Sequence, residues 1–420
     1  MFFLLVVALT IIAPPVRAQQ TKQGERKAMV TKAGLDPGRL ARISARIKEF
    51  VDSGAIAGAV TLVARHGVVI SLEAVGYQNL ETKTPMRTDS VFQIRSMTKP
   101  ITAVGIMILL EEGRLLLSDP VEKYVPEFRD QLVVDKREGE KVLTTKKPSR
   151  PITIRDLLTH TSGMRGAPDM PTKTLAEYVG ILAKAPLEFE PGTKFFYSDA
   201  GFETLGRIIE VASGQLYEKF LEQRIFRPLG MEDSFFFPPP DKLYRIASRY
   251  KLNDGKLQFV KDSLTPIVVM HHPGPSWSMF STASDMAAFY QMMLNGGIYK
   301  GVRILSRASV QAMTVVHTGD FMVNVPWSYG LGWGVYRERP SSGAFPLVSI
   351  GSYGHGGLMG TFGWVDPEKD LVGIFMVQQH IFQSKVPLSV IETFMAMTYA
   401  AIPDDLKSPT KVSKTGTNPK

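Results

Sequence analysis

The sequence contains no cysteine. That excludes disulfide staples, a thiol nucleophile, thiolate-ligated zinc and an acylated N-terminal cysteine. Histidine is scarce, at seven residues; the pair His271-His272 lacks the helical spacing of metal ligands, and no H-E-x-x-H occurs. We therefore expect neither a metal nor another cofactor. The absence of G-x-S-x-G speaks against an α/β-hydrolase. Internal repeats and long low-complexity runs are missing as well. No basic stripe interleaved with aromatics is present, so nucleic acid is a poor candidate partner. The apolar runs at residues 2–13 and 101–110 are both too short to span a bilayer.

What is present is enough for a large core. With 420 residues and 44% hydrophobic content, the chain can form one big domain or two intimate ones. Its first residues, "MFFLLVVALTIIAPPVRAQQ", read as a secretory signal, with "VRA" ending at Ala18 as a cleavage site. A retained N-terminal tether is the competing reading, and Pro14 and Pro15 count against it by cutting the run short. We expect a periplasmic or secreted protein with no stable membrane span once residues 1–18 are removed. The formal charge of +9 suits an anionic cell envelope, but lysines scattered over a solvated surface are the better explanation.

Periodicity divides the rest. "DPGRLARISARIKEFVDSG" sets Leu40, Ile43, Ile47, Phe50 and Val51 on one helical face, capped by Asp36 and stopped by Gly54. "AGAVTLVARHGVVISLEAVGY" and "SVFQI" are β-rich. Residues of about 96–235 show mostly helical patterning. "SWSMFSTASDMAAFYQMMLNGG" reads as a helix capped by Ser284 or Asp285. "GLGWGVY", "GTFGWV" and "LVGIFMVQ" read as strands, the last two joined as a hairpin through "DPEKD", before a closing helix in "VPLSVIETFMAMTYAAI". The expected organisation is a linker at 19–35, one domain at 36–402 and a disordered tail at 403–420. The expected fold class is α/β of the α+β type: an antiparallel sheet from both chain ends, flanked by helices (36–95 and 270–402). A mainly helical part (96–269) is inserted between them.

S-x-x-K occurs three times, at Ser96–Lys99, Ser248–Lys251 and Ser408–Lys411. Ser248 lies in a strand–turn–strand pattern, where residues three apart face opposite sides. Ser408 lies in the tail. Ser96 alone opens an apolar helix, and Pro100 sets its start near Arg95–Ser96. Lys99 then lies one turn deeper on the same face. Serine needs a base, and a lysine lowered by desolvation can serve. The competing reading is an ordinary N-cap beside a snorkelling lysine. Tyr197 and Asp199, two apart in an extended loop, can line one cleft; Tyr197 could carry a proton to a leaving group. Alternatively Tyr197 is a core aromatic and Asp199 a helix N-cap. In "SYGHGGLMGTFGWV", the glycines of His355-Gly356-Gly357 leave strand N–H groups free, and one of these with the Ser96 N–H could form an oxyanion hole. The plain alternative is a Gly-rich turn carrying a surface histidine.

Taken together these motifs resemble the serine β-lactamase-like superfamily: class C β-lactamases, D-Ala-D-Ala peptidases and family VIII carboxylesterases. Ser96-Met97-Thr98-Lys99 matches S-x-x-K, and Tyr197-Ser198-Asp199 matches Y-x-N except at Asp199. His355-Gly356-Gly357 sits where K-T-G or H-G-G is found. The flanks "PITIRDLLTHTSGM", "FETLGRIIEVASGQ" and "YGLGWGV" agree, and the resemblance spans about 36–400. A literal Lys414-Thr415-Gly416 in the tail lacks any strand context and is set aside. The resemblance implies a β-lactamase/transpeptidase-like fold with its site between sheet and helices. It implies attack by Ser96, an acyl-enzyme hydrolysed by water, and a second oxyanion N–H from Leu358. Asp199 should favour protonated Lys99, and His355, mostly neutral near pH 7, should capture carboxylates weakly. Both departures lean toward a carboxylesterase acting on small esters. A D-Ala-D-Ala peptidase or penicillin-binding protein, a class C-like β-lactamase, and a catalytically silent binding scaffold are the alternatives.

Overall fold

A computed structural model describes residues 24–25, 27–166, 174–261, 272–321, 327–338, 347–380 and 386–403. The expected signal at 1–18 lies outside them, as do Ser408–Lys411, Lys414–Gly416 and the rest of the tail after Pro403.

Helix α1 (Pro37–Asp52) is capped by Asp36, whose side chain accepts a hydrogen bond from the Arg39 N–H at 2.8 Å. Strands β1 (Gly58–Arg65), β2 (Val68–Asn79) and β3 (Thr84–Pro85) follow. Helix α2 (Thr98–Glu111) begins the helical stretch, which includes α3 (Asp199–Ser213). The chain re-enters the sheet region with α4 (Ala283–Leu294), β4 (Trp327–Tyr329), β5 (Gly334–Tyr336), β6 (Tyr353–Gly356), β7 (Phe362–Asp366) and β8 (Leu371–Met376), then closes with α5 (Val386–Ala400).

The eight strands form one antiparallel sheet in the order β4-β5-β6-β7-β8-β1-β2-β3. In its interior β1 pairs with β8, Leu62 opposite Ile374 and Val60 opposite Met376, so strands from the first and last thirds of the chain are joined inside the sheet. Alternation sorts β1 and β8 between two cores. Ala59, Val63, Leu371 and Phe375 pack with Leu40, Ile43, Ile47 and Phe394 under α1 and α5. Val60, Leu62, Val372 and Ile374 belong to the larger core that includes Ile101, Phe202 and Met286 of the other helices. No described helix is long and apolar enough to cross a membrane.

Local readings differ from the sequence in four places. Residues 24–25 and 27–32 are helical, with Val30, Ala33 and Leu35 buried beside α1; the described part of the expected linker is therefore structured, because its apolar residues have a core to join. The helical stretch also carries a hairpin, Val133–Glu138 with Lys141–Lys146, whose exposed polar face masks the strand signal. Helix α4 is capped by Thr282, not Ser284 or Asp285. Thr282 is extended, and its side chain accepts from the Asp285 N–H at 3.2 Å. Residues 276–281 therefore precede that helix instead of forming it. In "GLGWGVY" only Gly334–Tyr336 is strand, after a turn at Leu331–Trp333.

Candidate active site

Ser96 lies in a 3-10 turn, Arg95–Met97, that runs straight into α2. The approach to it is anchored. Phe92–Gln93 pairs with Phe280–Ser281, the Ile94 N–H donates to Met279 O (3.0 Å), and Thr361 Oγ1 donates to Ile94 O (3.1 Å). Arg95 then adopts left-handed backbone, φ 51°, with its guanidinium 4.9 Å from the Trp277 ring centroid. Such a conformation costs of order 1–3 kcal/mol in a non-glycine residue, so its surroundings must impose it. Ile94 and Met97 are buried on either side, while Ser96 stays half-exposed.

Lys99 is wholly buried. Its Nζ lies 3.2 Å from Ser96 Oγ, 2.6 Å from Asp199 Oδ1 and 3.0 Å from the Ser276 carbonyl oxygen. The centroid of the Tyr197 ring is 4.7 Å away. Burial alone pulls the ammonium down, but the charges of Tyr197 and Asp199, with their hydrogen bonds, outweigh it and hold Lys99 above the usual lysine range. The expected lowering by desolvation is thus reversed, because the lysine is buried together with an acid partner.

Asp199 is the first residue of α3, not its cap. Ser198 is the N-cap, its hydroxyl accepting the Gly201 N–H at 3.4 Å. The helix N-terminus favours a carboxylate there. Tyr197 is 40% exposed and is no core aromatic. It packs on His160, ring centroids 4.4 Å apart. His160 Nδ1 accepts the Ser198 N–H at 3.0 Å, which puts the ring proton on Nε2. Burial and the charge of Lys99 hold His160 well below the usual imidazole range.

His355 is buried on β6, which packs against the Arg95–Met97 turn; it is not a surface histidine. Its Nδ1 lies 2.8 Å from Gly356 O, an acceptor, so Nδ1 carries the proton and Nε2 accepts from the Tyr329 hydroxyl at 2.9 Å. Burial first, then Lys99, pushes His355 down to about 3. Both ring nitrogens are engaged within the protein. Gly356 ends the strand, and the Gly357 N–H is not free, because it donates to Thr361 O at 2.7 Å. Gly357 is there because a Cβ would fall 2.3 Å from both Ile94 O and Thr361 Oγ1. Leu358 follows half-buried in the turn that the Gly360 N–H closes onto Gly357 O.

Ser96, Lys99, Tyr197 and Asp199 therefore converge, with His355, Gly356, Gly357 and Leu358 on the strand and turn beside them. His160, Tyr329, Ser276 and Glu203 belong to the same cluster and have no motif of their own. For Glu203 a signal does exist: a carboxylate four residues after Asp199 on the apolar face of α3. His160 sits in "LLTHTSGM", between two threonines, where nothing in the local sequence marks it.

The Beta-lactamase family model matches residues 43–386. This chain belongs to the Beta-lactamase family. A Mycobacterium tuberculosis member named "Uncharacterized protein MT1414" is 32% identical over 366 residues, covering 80% of this chain and 88% of that one. A Salmonella typhi protein named "Putative D-alanyl-D-alanine carboxypeptidase" is 28% identical over 367 residues, 80% of this chain and 81% of its own. Among solved structures, "EstCE1, a hydrolase with promiscuous acyltransferase activity" superposes with a TM-score of 0.75 at 22% identity, covering 86% of this chain and 99% of that one. This family member thus has the β-lactamase/transpeptidase-like fold, in a family of serine hydrolases acting on small-molecule or peptide substrates.

Proposed function

We propose that this protein is an exported serine hydrolase that cleaves small carboxylic esters through an acyl-enzyme on Ser96. The observation that carries the ester preference is His355. A neutral ring whose two nitrogens already bond Tyr329 and Gly356 O offers no cation to the carboxylate of a penicillin or a D-alanyl peptide. In the neutral-amine form, Asp199 Oδ1 and Ser276 O occupy two Lys99 N–H bonds, and the lone pair is left facing Ser96 Oγ. Lys99 then takes the Ser96 proton as Oγ bonds the acyl carbon. As the bond to the leaving group breaks, Tyr197 gives its proton to the leaving alkoxide and is reprotonated by Lys99. In deacylation water adds its oxygen to the acyl carbon, its proton is taken by the Lys99 amine, and the Ser96 Oγ–acyl bond breaks with return of a proton to Ser96. The N–H groups of Ser96 and Leu358 would hold the oxyanion.

Cleavage of p-nitrophenyl butyrate should be readily detected and should vanish in Ser96→Ala with folding intact. Wild-type turnover by that variant would sink the assignment. The 28% identity to a protein named for D-alanyl-D-alanine carboxypeptidase activity favours a second reading. Stable labelling by a fluorescent penicillin, with release of D-alanine and little ester turnover, would select it. Export rests on the reading of residues 1–18, and a mature protein beginning at Gln19 is the expected product.

A further inference from the structure

Helix α3 carries two carboxyl groups one turn apart, Asp199 and Glu203. Asp199 meets the Lys99 ammonium from a half-exposed position. Glu203 is 1% exposed. Its Oε1 accepts both the Ser276 Oγ–H (2.5 Å) and the Ser276 N–H (3.2 Å), while the carbonyl of the same serine takes a Lys99 N–H at 3.0 Å. Glu203 Oε2 is buried without a hydrogen-bond partner. One residue, Ser276, thus stands between the buried carboxyl and the lysine.

We propose that Glu203 is a positioning residue for Lys99: its Oε1 pins Ser276 through two hydrogen bonds so that the Ser276 carbonyl directs the lysine lone pair at Ser96. This rests on the assignment of Ser96 as nucleophile and Lys99 as its base. A lysine held by two fixed acceptors has one free direction for its lone pair, and that direction is Ser96 Oγ. If Ser276 drifts, Nζ can rotate away.

The groups acting on Glu203 are Asp199 on its own helix, Lys99 on α2, Ser276, and Tyr217 of the helix Tyr217–Leu221, whose hydroxyl bonds Thr102 Oγ1 at 2.6 Å. Two further helices on α3, Ile154–Leu158 and Leu175–Leu182, bring Leu157 and Leu175 against it. Burial pushes Glu203 up to about 8; the Ser276 hydrogen bonds and Lys99 oppose the rise, and Asp199 adds to it. Below that pH the site holds one carboxylate for one ammonium. Above it a second carboxylate appears, and Lys99 keeps its proton longer.

The test is the pH dependence of kcat/KM for p-nitrophenyl butyrate in Glu203→Gln and Glu203→Ala, from about pH 6 to about pH 10. The amide keeps a neutral acceptor for Ser276, so E203Q should stay within about twofold of wild type at pH 7 and exceed it by about threefold at pH 9, where the wild type is restrained. E203A strands two buried donors and should lose about tenfold at pH 7. An E203Q profile that superimposes on wild type, or an E203A rate equal to wild type, overturns the proposal. Should neither variant fold, Ser276→Ala serves: it removes a bond that favours ionised Glu203, so the bend near pH 8 should move to higher pH, and an unmoved bend is contrary. If Ser96→Ala is inactive but E203Q titrates like wild type, only the role of Glu203 fails. If Ser96→Ala is active, the assignment of the site fails first.

Discussion

Lys99 has three polar neighbours for three possible N–H bonds, and its protonation decides whether Ser96 faces a donor or a lone pair. Asp199 is the largest single difference from the Y-x-N pattern, and its charge is among the groups that hold the lysine proton. Removing that charge in Asp199→Asn should lower the pKa of Lys99, so more free amine exists at a given pH. The rising limb of the pH–rate profile should therefore move to lower pH, by about one unit if the pair is worth about 1.4 kcal/mol. A limb that stays in place would separate Lys99 from the base function. At this scale the sequence offered two opposed expectations for Lys99, a lowering by desolvation and a proton held by Asp199. The structure sides with the second, Tyr197 and Asp199 together outweighing burial, with Asp199 Oδ1 2.6 Å from Nζ.

Elements were legible wherever a cap and a periodic face coincided. Helix α1 is the clearest case: Asp36 before Pro37 and an apolar stripe of Leu40, Ile43 and Ile47 yield the helix that is observed. Its cap lies on the sheet face away from the candidate site. Asp36→Ala should cost about 1 kcal/mol of stability and leave ester turnover unchanged, as measured by denaturant midpoint and kcat together. A turnover change comparable to the stability loss would mean that α1 is coupled to the site. The region before α4 shows the limit. "SWSMFS" is apolar enough to extend a helix, yet Phe280–Ser281 pairs with Phe92–Gln93 and Ser276 turns its carbonyl to Lys99. Pairing partners far apart in the chain overrode local propensity there.

At the scale of the whole molecule, His160 behind Tyr197 and His355 on β6 are buried and held neutral. Both sit below the value of 6.5 that they regain on unfolding, His355 at about 3. The unfolded chain therefore binds protons first as pH falls. Stability present above pH 6.5 should drop by up to about 1.4 kcal/mol per pH unit for each histidine on the way down toward pH 5. Thermal unfolding followed over that window should show the fall, and His355→Gln should flatten it. A flat midpoint for the wild type would contradict the buried neutral state.

The amino-acid sequence by itself determined the register of Ser96 and Lys99, the order of the motifs, the family and the building of the sheet from both chain ends. The register and the sheet follow from helix pitch, strand alternation and caps, all short-range properties, while the family rests on the resemblance of the ordered motifs and their flanks. Tertiary structure alone decided between the two expectations for Lys99, and it alone showed the engaged nitrogens of His355, the bonded N–H of Gly357 and the Glu203–Ser276 bridge. Hydrogen bonding and desolvation depend on distances between groups far apart in the chain, such as Lys99 and Ser276, 177 residues apart, and periodicity reports which face is buried without saying what it meets there.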